Sequence, residues 1–513
     1  MSLEEAKKVS VEMNRTSFTP PPRRVNDVLS IVQPKGMTNP QLADRLQKEL
    51  KKQPPKTDDN ERLASFYYQR GNAAIQSSQY CEALPDLRKA FFHAGKTGRV
   101  SDPLTTELGI SETECGNITH GIDLLEQVAR RAGTYRPVYL QYLPRSYLAI
   151  GDLQSAFRAK RLCDEWAQRM GVFSIQETPG QIFLPALAAY NILHAQGKYQ
   201  DAEAFIRACI SMKNNLYAWR ADFIIIYCKM DLAFNLSMQG RFSEAEMEAR
   251  EAIEDSIVMS GMPGNVTADA VGVLANIMLS QGRLEEAEQL ERSRIKILES
   301  TGVSTDTKTK SSAHIALGDT FVMQRKYASA AREYDLVRDS LKENSTLYDN
   351  NYSRNRNLIL TLIKSGRTDE AMKLIGPAQK AAVKYFGEKS QAEAELLGLR
   401  GMARHNRQEY AEALSDFNQV VPVLISQKNL GFRDRIFLEA YMDLLSRIQG
   451  TPLEKKLGDN AATTAFNVAG LLGSRTVENA LSESSARAAA AYDPNLADLV
   501  RREQDMKLSL IHI

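Results

Sequence analysis

Gly240-Arg-Phe-Ser-Glu-Ala245 and Gly282-Arg-Leu-Glu-Glu-Ala287 are one phrase written twice, 42 residues apart. Outward from this pair the phrase recurs as Gly151-Asp-Leu-Gln-Ser-Ala156, Gly197-Lys-Tyr-Gln-Asp-Ala202, Arg325-Lys-Tyr-Ala-Ser-Ala330, Gly366-Arg-Thr-Asp-Glu-Ala371 and Gln408-Glu-Tyr-Ala-Glu-Ala413. Two earlier copies end at Ala83 and Gly121. The closing small residues thus fall at 83, 121, 156, 202, 245, 287, 330, 371 and 413, with gaps of 38, 35, 46, 43, 42, 43, 41 and 42. Chance does not produce nine phased copies. A period in this range is the mark of a repeat architecture.

Each position of the phrase has a physical task. The glycine ends a helix in a left-handed turn that a Cβ would oppose. Two residues on, Tyr199, Phe242, Leu284, Tyr327 or Tyr410 can plug the gap between two helices. A Ser, Asp or Glu is then expected to start the next helix at its positive end. The alanine lets two helices approach closely.

Apolar residues at three- and four-residue spacing flank the turns, as in 186–195 with 202–209 and 271–279 with 287–295, so helices are expected on both sides. Pro179-Gly180 and Pro263-Gly264 read as connections between pairs. No convincing alternating run is present, and strands should be nearly absent.

The phrase and its surroundings resemble the tetratricopeptide repeat. Tyr67, Gly71, Tyr80, Ala83 and Ala90 carry more of its signature in the first copy, as do Gly318, Tyr327, Ala330 and Tyr334 in the seventh. That repeat is about 34 residues long, and the longer period here resembles the kinesin-light-chain type. The resemblance covers roughly residues 60–425. It implies an all-α fold: a right-handed α-solenoid of about nine TPR-like helical hairpins, with an extended N-terminal arm (1–58) and a C-terminal helical linker. The solenoid is expected over 59–425 and the C-terminal helices and Ala-rich linker over 426–513.

The arm is polar and proline-bearing, and its stretches 26–32 and 39–50 can form short helices. Beyond 425 the phase is lost. One amphipathic helix is expected over 433–448, a polar connection over 451–464 and Ala- and Ser-rich helices beyond. The chain stops on Leu508-Ser-Leu-Ile-His-Ile513, a helix that reads as cut. Ser17-Phe-Thr-Pro-Pro-Pro22, Phe66-Tyr-Tyr-Gln-Arg-Gly71 and the tail 486–504 resemble the N-terminal part of bacterial TPR–CHAT proteins. There a helical array precedes a caspase-like peptidase domain. The resemblance implies a C-terminal CHAT-type effector as a partner. The chain itself departs from that pattern: His120-Gly121 lies in a repeat turn, and all five cysteines precede residue 229.

Composition narrows the function. Lys and Arg total 65 against 63 acidic residues, a net charge of +2, so no electrostatic footprint for nucleic acid or membrane surfaces is expected. No apolar run spans a membrane or makes a signal peptide, and a cytoplasmic location follows by default. Cys81, Cys115, Cys163, Cys209 and Cys228 form no CxxC pair and read as small buried hydrophobes in a reducing compartment. No phosphate loop, GxGxxG, HExxH or GxSxG is present, so no catalytic residue, metal or cofactor is expected. Glu285-Glu286 and Glu244 with Glu246 sit where helices begin and read as capping and solvation.

The functional surface should be the concave face, lined by the first helix of each pair. The phase places Asn191, His194, Asn276, Asp319, Arg356 and His405 near it, as candidate peptide contacts. The plainer reading of any one of them is solvation or packing, and of His194 an interhelical histidine. Arg354, Arg356, Arg400 and Arg404 form a basic cluster diluted by Glu393 and Glu395. The expected function is a scaffold that binds a peptide or partner domain. The alternative is the regulatory half of a CHAT-type protease.

Overall fold

The computed structural model describes Leu3 and residues 24–32, 40–76, 80–130, 142–169 except 151, 179–211, 221–342 except 262, 302, 304 and 306, 347–386, 390–426 and 431–472. Among them no strand occurs. Two short helices lead, α1 (Asn26–Ile31) and α2 (Pro40–Leu50). Nine hairpins follow among the described residues. They are α3 (Asn60–Gln76) with α4 (Tyr80–Lys96), α5 (Asp102–Glu114) with α6 (Ile118–Arg130), and α7 (Tyr142–Ala149) with α8 (Leu153–Arg169). Next come α9 (Pro179–Ala195) with α10 (Tyr199–Ser211), α11 (Ala221–Met238) with α12 (Phe242–Ser260), and α13 (Asn265–Ser280) with α14 (Leu284–Ser300). The last three are α15 (Lys308–Met323) with α16 (Tyr327–Ser340), α17 (Arg356–Lys364) with α18 (Thr368–Phe386), and α19 (Gln391–Asn406) with α20 (Tyr410–Ser426). Helix α21 (Phe432–Ile448) packs on α19 and α20. Helix pairs packed on their sequence neighbours define a TPR-like α-solenoid.

The repeat alanines show why the phrase is fixed. Ala83, Ala156, Ala202, Ala245, Ala287, Ala330, Ala371 and Ala413 all have 0% exposure. At Gly121, the equivalent position in the second hairpin, a Cβ would lie 2.2 Å from Thr113 Oγ1. Gly318 leaves similar space for the buried Tyr334 ring. The turns are left-handed at Gly197, Gly240, Gly282 and Gly366, with φ between +73° and +76°. Arg325 and Gln408 take the same backbone with a side chain, at φ 59° and 63°. Gly151 lies outside the described residues.

Three details differ from the sequence reading. Second helices begin on the aromatic or leucine itself, and the N-cap residues Arg241, Arg283 and Lys326 donate or accept no side-chain cap. The acid at the third helical position is held by an arginine fork instead. Pro179-Gly180 opens α9 rather than connecting pairs, since proline suits a first helical turn. Cys115 is disulfide-bonded, so the uniform thiol reading does not hold for it. Cys163, Cys209 and Cys228 are buried thiols.

The chain divides into two compact units, residues 1–314 with 343–347 and residues 315–342 with 348–513. After α21, where a polar connection was expected over 451–464, a 3-10 turn forms at Pro452–Lys456, and the helix expected from 465 already begins at 461 and is described to 472. The stretches 17–22 and 486–504, and the helices expected beyond 472, lie outside the described residues.

Candidate binding surface

In the first unit, the first helices of successive hairpins also touch one another, α7 with α9 and α11 with α13. They therefore line the inner side of the curve. The curve closes: Lys308 Nζ on α15 stands 3.7 Å from Glu114 Oε2 on α5. A Cβ on Gly116 would meet Leu347 at 2.5 Å.

Charged and phenolic groups from six first helices face each other on this inner side. Tyr190 donates its hydroxyl to the Asp231 carbonyl at 2.8 Å, and Tyr227 donates to Asp269 Oδ2 at 3.4 Å, each one repeat onward. Arg145 lies with its guanidinium carbon 5.9 Å from the Tyr227 ring centre. Among the described residues it makes no ion pair, although it is exposed to solvent. Burial within the curve alone would lower its pKa, but Asp231 and Glu114 raise it. Burial raises the Asp231 carboxyl, with Arg145 opposing. It also raises Asp269, opposed first by Arg294. For Glu114 the Lys308 and Arg145 cations outweigh burial, and its pKa falls.

The sequence-derived candidates divide between the units. In the first, Asn191 is half-buried on α9 and Asn276 is exposed on α13. His194 Nδ1 lies 3.1 Å from Asn235 Nδ2, and its ring packs on Tyr190, Tyr199 and Phe234. Burial pushes its pKa down to about 4, which is the behaviour of a packed neutral imidazole.

In the second unit, Asp319 accepts from Tyr334 Oη at 2.6 Å, Asn355 Nδ2 at 3.1 Å and Asn357 Nδ2 at 3.0 Å. Arg433 continues the chain, donating to Asn357 Oδ1 at 2.9 Å and forking onto Glu395 at 3.0 and 3.2 Å. Arg356 joins Glu395 at 3.1 Å. His405 Nε2 stands 2.6 Å from Asp443 and its ring packs on Tyr410, the arrangement His194 makes with Tyr199. The basic cluster is neutralised: Arg400 and Arg404 both bond the buried Asp416, at 2.7 and 2.8 Å.

Sequence reasoning missed Arg145, Tyr190, Tyr227, Asp231 and Asp269. The legible signal was the spacing of 41 to 42 residues between Tyr190 and Asp231 and between Tyr227 and Asp269. It also misread Glu246. That residue is fully buried and ion-paired to Arg250 and Arg283, because each second helix packs against the next hairpin's turn. Among the described residues no group of His, Cys, Asp and Glu is arranged to hold a metal, and no helix is long and apolar enough to cross a membrane.

No protein-family profile matches the chain, and no curated protein matches it significantly in sequence. Solved structures do. A Podosopora anserina kinesin light chain with nearly identical TPR-like repeats is 14% identical, covering 40% of this chain and 97% of that one, with a TM-score of 0.30. A Rap protein complexed with competence and sporulation factor is 13% identical, covering 75% and 100%, with a TM-score of 0.41. The APC/C hetero-tetramer Cut9–Hcn1 is 12% identical, covering 90% and 86%, with a TM-score of 0.42.

Proposed function

We propose that the protein is an interaction scaffold, and that the inner face of the first unit holds an extended segment of a protein partner. One observation carries this. Arg145 and Asp231 face each other on a solvent-reached inner surface, and among the described residues neither side chain spends its charge in an ion pair. A guanidinium left with free donors suits a carboxylate held in a fork, and Asp231 with Asp269 suits an amine or amide one repeat away. Exposed Asn276 extends the surface, with an amide that bonds peptide backbone. Asp319, Arg356 and His405 would serve a second stretch in the other unit, where they already bond each other's neighbours.

The test is selection of a random peptide library on the intact chain, repeated on Arg145→Ala and Asp231→Ala. Enriched peptides that lose at least about tenfold in affinity on both variants support the reading, the size expected for a desolvated charge pair. Peptides that bind all three proteins equally, or no enrichment at all, overturn it. The alternative, a regulatory half serving a CHAT-type peptidase domain, is supported by the sequence likeness of residues 17–22, 66–71 and 486–504 alone.

A further inference from the structure

The segment Arg24-Val-Asn-Asp-Val-Leu-Ser-Ile-Val32 does not lie along the first hairpin that follows it in sequence. It docks on α12 and α14, the second helices of the fifth and sixth hairpins. Val25, Val28 and Val32 are buried, at 0, 2 and 3% exposure, while Asn26, Ser30 and Ile31 face solvent. Spacing of i, i+3 and i+7 is one face of a helix.

Polar contacts fix the segment on these two helices. The Val25 N–H donates to Glu286 Oε1 at 3.2 Å. Arg250 donates to the Asp27 carboxylate and, at 3.2 Å, to the Arg24 carbonyl. Both receptor residues are held in place from beneath. Arg250 bonds the fully buried Glu246 at 2.7 Å, Arg283 bonds Glu246 at 2.9 Å, and Arg283 also bonds Glu286 at 2.9 Å. A receptor side pre-organised in this way, facing a six-residue helix, has the build of a helix-in-groove recognition site.

We propose that the α12–α14 groove is a second recognition site, for a short helix with valines at i, i+3 and i+7 and an acid at i+2. The chain keeps this site filled with its own Arg24–Val32 segment. The site lies on second helices, so it does not depend on the inner-face reading. Three buried valines make a weak ligand on their own. A tether converts that weak contact into an occupied one by raising the effective concentration to the millimolar range. A partner helix with the same pattern gains the groove by displacing the segment.

The probe is a fluorescent synthetic peptide of residues 23–33, titrated against the full chain and against full chains carrying Val25→Asp with Val28→Asp. The doubly substituted chain should bind it at least about tenfold more tightly than the intact chain, whose groove is protected by its own segment. The peptide carrying Asp27→Arg should bind about tenfold more weakly. A doubly substituted chain that keeps the parent's helical circular dichroism and cooperative melt, yet binds the peptide no better, overturns the proposal. Should that chain fail to melt cooperatively, Asp27→Arg in the full chain gives the same comparison. Should both unfold, the segment is a structural brace and the proposal fails.

Discussion

Arg283 donates through Nη1 to Glu246 at 2.9 Å, reaching back from the turn of one hairpin to the second helix of the hairpin before. Its other prong bonds Glu286, three residues ahead. Arg367 repeats the geometry, with Asp335 behind it at 2.8 Å and Glu370 ahead at 2.7 Å. Arg241 does so with Glu203 and Glu244. The recurring Gly-Arg-x-x-Glu phrase is therefore a coupling between hairpins as well as a turn.

Removing one partner of such a pair strands the other. Arg283→Ala should cost about 1–3 kcal/mol, because Glu246 keeps Arg250 but loses half its compensation in a buried site. Arg407→Ala, whose partner Asp369 is 82% exposed, should change stability by less than about 1 kcal/mol. Urea titrations of the single variants and of the Arg283/Glu246 double-mutant cycle check the contrast. Equal costs at both sites would refute it.

Ala245→Phe or Ala287→Phe should destabilise the solenoid by about 1–3 kcal/mol or more, since neither position has free space. Gly121→Ala should also be unfavourable, because its new methyl would meet Thr113 and the Gly109 carbonyl. Thermal melts that superimpose on the parent's would refute the assigned phase.

Two half-buried groups make opposite demands on pH. His194 sits at about 4 against an ordinary 6.5. Between these values the unfolded chain takes up the proton first, so stability falls as pH drops from 6.5 to 4, at up to about 1.4 kcal/mol per unit. Glu248 is pushed up to about 7 from 4.5 by burial, against the pull of Arg207. Its contribution is full below 4.5 and is lost as pH rises through 7. His194→Gln should flatten the acid limb of the melting-temperature profile, and Glu248→Gln should flatten the rise-dependent loss between 4.5 and 7. Profiles parallel to the parent's would contradict both assignments.

Arg145→Ala should change stability by less than about 1 kcal/mol, because the side chain is exposed and makes no ion pair among the described residues. Asp416→Ala should cost several times more, for it strands both Arg400 and Arg404. Chemical denaturation of the two variants separates a surface kept for binding from one kept for folding.

The repeat phase, the helical hairpins and the close-packed alanines were legible because each is a short-range requirement. A left-handed turn needs Gly240 or Gly282 within a few bonds, and a zero-space contact needs Ala245 or Ala287 at one step of the period. The arginine forks were present in the same phrase but silent, since nothing local says that Arg283 will reach Glu246 in another hairpin. The inner surface was further out of reach. Whether Lys308 meets Glu114 depends on a small rotation at each junction accumulated over five hairpins, and no single residue pattern encodes that sum. The docking of the Arg24–Val32 segment on α12 and α14 is of the same kind. Sequence determines the unit and its spacing, because sterics act between neighbours. Tertiary structure alone decides which distant faces the curvature brings together.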